Sequence, residues 1–116
     1  MSQNSFRKPT DPLKDRVFIK DSGGLQKVLL DDILFISSKH VYITLKTCKR
    51  NFIIRGSLQH FITGLNCENL VQVHRSHVVN LHKIDSIGPD RLMIDGNEIP
   101  VSKSYKELLL CRLHIK

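Results

Sequence analysis

A chain of 116 residues with 41% hydrophobic and 25% charged side chains is the length of one domain and apolar enough to bury a core, which excludes a disordered segment. No apolar run approaches the ~20 residues that cross a bilayer, and the polar opening MSQNSFRKPTDP is unlike a signal peptide, so no membrane role and a cytoplasmic location are expected. The formal charge of +7 points toward a polyanionic partner.

Residues 1–14 place Pro9 and Pro12 among Ser, Asn, Thr and Lys with no apolar period, and read as a linker or flexible tail ahead of a folded domain at 15–116. Arg16 to Lys20 and Leu25 to Leu29 flank Ser22-Gly23-Gly24, which predicts a hairpin. Asp31-Asp32 is better suited to a turn or cap than to acid–base chemistry, and Ile33 to Ile36 is an unbroken apolar run that fits a buried strand. From His40 to Lys46, Val41, Ile43 and Leu45 alternate with Tyr42 and Thr44, the period of a half-solvated strand, and Lys49 to Arg55 is expected to pair back onto it.

Ser57 is a candidate N-cap for a short helix whose Leu58, Phe61, Ile62 and Leu65 share one face, with Asn66 as its C-cap. A strand near Leu70 to Val73 then enters a dense polar segment, His74 to Asn80, expected as a tight loop between apolar anchors. Strands near Ile84 to Ile87, Arg91 to Asp95 and Glu98 to Val101 are separated by Gly88-Pro89-Asp90 and Gly96-Asn97. Ser104 and Glu107 form an S-x-x-E pattern opening a terminal helix, with Tyr105, Leu108, Leu109 and Leu113 available to pack. No β-α-β alternation is present.

The chemistry-bearing residues are few. His74, His77 and His82 supply imidazoles, but HxxH without a carboxylate or thiolate partner is a poor metal set, and none is expected. Cys48, Cys67 and Cys111 are widely spaced with no CxxC pair, and read as reduced thiols. No GxSxG, no glycine-rich phosphate loop and no spaced carboxylate pair is found, so neither an enzyme nor a cofactor is expected. The basic residues divide into a hairpin set, Lys46, Lys49, Arg50 and Arg55, and sets at loops or element ends near Lys39-His40, His74-Arg75 and Lys103. Charge on a hairpin is often only a solvated face, and His77 and Asn80 suit loop-stabilising hydrogen bonds better than ligand contact. Arg, His and Lys on loops are the donors that guanine and phosphate acceptors require.

Four segments in order resemble the LytTR family of bacterial response-regulator output domains: Leu30 to Ile36, Ile54 to Leu58, Val73 to Asn80 with its V-H-R-S-x-x-V-N pattern, and Ile99 to Tyr105. The resemblance spans about residues 16–116. It implies a mainly β fold of short antiparallel sheets in an elongated arrangement, with one short internal helix and a C-terminal helix. It also implies a sequence-specific transcriptional regulator of duplex DNA, whose loop residues read successive major grooves.

Carried over by position, Lys39, His40, His74, Arg75 and Lys103 are the expected base contacts. Lys46, Lys49, Arg50, Arg55, Ser76 and Ser102 are the expected phosphate contacts. Such domains usually follow a phospho-receiver, so a receiver domain or a histidine-kinase pathway upstream is implied, or else a stand-alone regulator, with two copies binding repeated half-sites. An RNA-binding β module and a protein-interaction domain are the alternatives. Stacking RNA modules need exposed aromatics, which a chain with no Trp, two Tyr and five Phe supplies poorly.

Overall fold

The computed structural model describes residues 15–65 and 67–116, so the tail at 1–14 and Asn66 lie outside the described residues; the helix expected from Ser57 ends with its C-cap at Gly64 rather than Asn66. β1 (Arg16–Asp21) and β2 (Gly24–Leu29) form a hairpin, and a single 3-10 turn at Leu30–Asp32 leads into β3 (Ile33–Lys39), β4 (Tyr42–Thr47) and β5 (Asn51–Arg55). After α1 (Leu58–Thr63) come β6 (Leu70–His74), β7 (His77–Asn80) and a second 3-10 turn at Leu81–Lys83. β8 (Ser86–Ile87), β9 (Arg91–Ile94), β10 (Asn97–Pro100) and α2 (Lys103–Cys111) complete the chain.

These strands form a five-stranded sheet of order β5-β4-β3-β7-β6, a three-stranded sheet of order β10-β9-β8 and the β1-β2 ribbon. Every pairing is antiparallel. The resulting mainly β architecture is longest along one axis, 47 Å against 23 Å for the shortest.

The five-stranded sheet buries apolar side chains on both faces. One face carries Ile36, Ile43, Leu45 and Val78 against Ile19 and Val28 of the ribbon and Leu58 of α1. The other carries Leu34, Val73 and Val79 against Leu92, Ile94 and Ile99 of the small sheet and Leu109 of α2. Burying each such side chain stabilises the fold by about 1.5–3 kcal/mol. A register shift between Ile33 and Phe35 lets β3 serve both faces. Strict alternation would put Ile33 and Ile36 on opposite sides, but the bulge turns Leu34 and Phe35 together toward the second core and returns Ile36 to the first. Asn80, which is 1% exposed, anchors this point. Its Nδ2 donates to the Ile33 carbonyl over 2.8 Å, and its Oδ1 accepts the His82 N–H over 3.0 Å.

Several local expectations shift. Val41 lies in the β3–β4 turn and is 47% exposed rather than inward, because His40 adopts φ +58° and the chain reverses there. The segment 74–80 is a hairpin rather than a loop, with only Arg75 and Ser76 between β6 and β7. α2 begins two residues earlier than the S-x-x-E pattern suggests, with Ser102 rather than Ser104 extended at the N-cap position and its side chain making no cap bond. The turn before β10 is Asp95-Gly96, both at positive φ, the pairing a two-residue primed turn demands. Leu108 points to solvent at 65% exposure while Leu109 is fully buried. Ser57 caps α1 as expected, its hydroxyl accepting the His60 N–H over 3.1 Å.

Candidate nucleic-acid interface

Antiparallel pairing of β3 with β7 places the end of β3 beside the start of β7, and so sets the Lys39-His40 turn next to the Arg75-Ser76 turn. The Ser38 N–H donates to the Ser76 carbonyl over 2.9 Å, joining the two turns directly. Two further backbone bonds bring other elements to the same end. The Ser102 N–H donates to the Val73 carbonyl over 2.9 Å and seats the start of α2 against β6. The Gly56 N–H donates to the Val41 carbonyl over 2.8 Å and ties the end of β5 to the first turn. Lys39, His40, Arg55, Arg75 and Lys103 are all exposed at this end, while His74, Ser76 and Ser102 are half-buried among them. Among the described residues, none of Lys39, Arg55, Arg75 and Lys103 forms an ion pair. Four cations on adjoining elements therefore face solvent unneutralised.

The β6–β7 turn has its own bracing. Its two central residues keep negative φ, unlike the primed turn at Asp95-Gly96, so the backbone alone does not favour it between twisted strands. Side chains hold it: Gln72 Nε2 donates to the His74 carbonyl over 3.2 Å and to the Arg75 carbonyl over 3.5 Å, and the Ser76 N–H donates to His74 Nδ1 over 3.1 Å. A bulge at Val73 sinks that side chain into the second core directly behind the turn. On β5, the Arg55 guanidinium lies 5.9 Å from the centre of the exposed Tyr42 ring, near enough for a cation–π attraction.

The remaining basic residues lie elsewhere. Lys46 shares the Arg55 face of the sheet by register, but four residues along β4 from Tyr42, about 13 Å away. Lys49 and Arg50 occupy the turn at the opposite end of β4 and β5. There Arg50 pairs with Asp21 at 2.8 Å, and Lys49 Nζ is 3.7 Å from Asp32. The Arg50 guanidinium and the Ser22 N–H hold the Asp21 carboxyl below its usual range.

The histidines do not assemble a metal site. His74 and His77 meet edge to face with ring centres 5.2 Å apart, whereas His82 follows Asn80 at the other end of β7. No group of three metal-ligating side chains comes together among the described residues. His77 Nδ1 is buried without a hydrogen-bond partner, and burial, with His74 beside it, pushes its pKa below 6.5. Gln72 and Tyr42 were not among the residues singled out from the sequence. Tyr42 sits at an alternating strand position, and nothing in the pattern around Gln72 marks it as a brace.

The family model described as LytTr DNA-binding domain matches residues 23–114. The chain is 31% identical over 102 residues to the sensory transduction protein LytT of Bacillus subtilis (strain 168), covering 81% of this chain and 42% of that protein. It is 33% identical over 86 residues to the sensory transduction protein LytR of Streptococcus mutans serotype c, covering 68% of this chain and 35% of that protein. The chain thus spans less than half the length of these relatives. Among solved structures it resembles a LytTr DNA-binding domain from Bacillus cereus, with a TM-score of 0.71 and 28% identity, covering 83% of this chain and 96% of that one.

Proposed function

The chain belongs to the LytTR family of DNA-binding domains, and from that premise we propose that it reads a specific duplex sequence to control transcription, as the output part of a two-component regulator. One observation carries the reading. Two strand turns and the start of a helix, far apart in sequence, are hydrogen-bonded into one end of a sheet that presents four cations with no ion pair among the described residues. Donors fixed on such a scaffold suit base edges, which demand position, better than phosphate alone, which demands only charge. Lys39, His40, Arg75 and Lys103 are the base-contacting set, Arg75 matching guanine O6 and N7 with its two-pronged donor. Arg55, Ser76 and Ser102 lie beside them as phosphate contacts, with Lys46 further along the Arg55 face. His74 completes the base-contacting set through Nε2, while its Nδ1 accepts the Ser76 N–H and braces the turn.

The greater length of the relatives and their names as sensory transduction proteins support a signal-receiving partner domain. Binding of two copies to repeated half-sites is part of the same reading. A single-strand or RNA module would need several exposed rings at the interface, and Tyr42 is the one exposed Tyr or Phe ring described at this end.

The test is a titration of the domain, at one salt concentration, against a duplex selected by the domain from a random pool, a scrambled duplex, single-stranded DNA and RNA. The selected duplex is expected to bind at least about 10³-fold tighter than the scrambled one. Equal affinity for all four would overturn the proposal.

A further inference from the structure

We infer that Gln72 is a specificity-determining positioning residue, whose amide holds the β6–β7 turn in the one conformation that aims Arg75 outward; this rests on the base-reading role proposed above. By register Gln72 pairs with Val78 and faces the first core, away from the solvent in which Arg75 works. Its amide nonetheless reaches past Val73 to bond the carbonyls of His74 and Arg75, at 3.2 and 3.5 Å. The bulge between Gln72 and His74 adds a residue to the strand and bends it between the amide and the carbonyls it bonds.

The turn needs such a brace because its own backbone does not set it. A two-residue hairpin is ordinarily fixed by a primed turn with positive φ, as at Asp95-Gly96, but neither Arg75 nor Ser76 has positive φ. What fixes it are four bonds from outside the turn's backbone: two from the Gln72 amide, one from the Ser76 N–H to His74 Nδ1, and one from the Ser38 N–H to the Ser76 carbonyl. Among the described residues, the Gln72 amide at 3.5 Å is the one hydrogen-bond donor to the Arg75 carbonyl. An arginine reading a base edge in two-pronged fashion gains from rigidity, since a fork displaced by an ångström or by tens of degrees loses one prong, whereas a phosphate contact tolerates the displacement. Losing Gln72 therefore costs discrimination before it costs affinity.

The experiment uses Gln72→Met, which fills similar space with an unbranched side chain that cannot donate. It is titrated on the duplex selected by the wild-type domain and on its scrambled counterpart, alone and combined with Arg75→Ala. Gln72→Met is expected to weaken the selected duplex by about tenfold and to leave the scrambled duplex within about twofold. In the Arg75→Ala background the same substitution should have no further effect on either duplex, a loss of additivity that a merely structural role would not produce. In the free protein, ¹⁵N relaxation should show the amides of Arg75 and Ser76 gaining fast motion in Gln72→Met while those of β9 and β10 do not.

Two results overturn the inference while leaving base reading intact: a selective loss from Arg75→Ala with an inert Gln72→Met, or a Gln72→Met loss that persists undiminished without Arg75. An equal loss on both duplexes from Arg75→Ala alone removes the base-reading role itself, and this inference with it.

Discussion

Ser38 and Ser76 are bonded backbone to backbone at 2.9 Å, so the strand that runs into the Lys39-His40 turn and the turn that carries Arg75 behave as one piece. Neither turn belongs to a floppy loop. The first follows directly from β3, which is buried on both faces, and the second is braced by Gln72 and His74 with Val73 sunk beneath it. A donor set of this kind loses little conformational entropy on docking, and that favours selectivity over plain charge attraction.

Salt dependence measures the other contribution. With about five cations meeting phosphate or the groove, the slope of log K against log salt on a scrambled duplex should be about −4 to −5. Titrations at four or five salt concentrations read the slope directly, and a value near zero would remove the electrostatic component.

Asn80 should be among the costliest polar positions to change. Asn80→Ala leaves the Ile33 carbonyl without its side-chain donor and the His82 N–H without its acceptor, at the point where the β3 bulge divides the two cores. The expected destabilisation is about 2–4 kcal/mol, read by urea unfolding. A change below about 0.5 kcal/mol would mean that water replaces both bonds at no cost.

This bulge also marks the limit of what was legible in the sequence. The apolar run Ile33 to Ile36 announces a buried strand, but periodicity cannot say that Leu34 and Phe35 share a face, because the inserted residue answers to the partner strands rather than to its neighbours. Local signals fared better: Ser57 caps α1, and Phe61, Ile62 and Leu65 pack against the first core as their spacing implied, although they are partly rather than fully buried. At the interface, the residue types at Lys39, Arg75 and Lys103 were legible, and their assembly at one end was not, because it depends on long-range β pairing. Lys49 and Arg50 looked equivalent to Arg55 for the same reason. Asp21, 29 residues before Arg50, reaches it only once the ribbon has folded over.

Stability should fall in mild acid through His77. Burial, with His74 beside it, lowers its native pKa beneath 6.5, while the unfolded chain takes up the proton near that ordinary value. The unfolded state therefore binds more protons over the interval between the two values. Stability is fully present above about pH 6.5, declines as pH falls through the interval, and levels off beneath the native value. Melting temperature followed from pH 7.5 to 5 should drop less in His77→Phe than in the wild type. Parallel curves for the two proteins would show that His77 titrates normally.

The two ends of β4 and β5 give the sharpest test of where DNA sits. Arg55 lies at the end shared with Lys39 and Arg75, beside the Tyr42 ring and without an ion pair among the described residues. Lys49 and Arg50 lie at the other, about 17 Å away along the strand, facing Asp32 and Asp21. If DNA docks at the Arg75 end, a cation already beside a carboxylate neutralises little phosphate and so releases few of the counterions condensed on the duplex, and one at the far end meets no phosphate. Arg55→Ala should therefore weaken selected and scrambled duplex about equally and flatten the salt slope by about one unit. Lys49→Ala and Arg50→Ala should leave the slope within about 0.3 units of the wild type, while Arg50→Ala also frees Asp21 to titrate closer to its ordinary value. Should Lys49→Ala flatten the slope as much as Arg55→Ala does, the DNA runs along the whole β4–β5 hairpin, and the interface extends past Lys46 to the far turn.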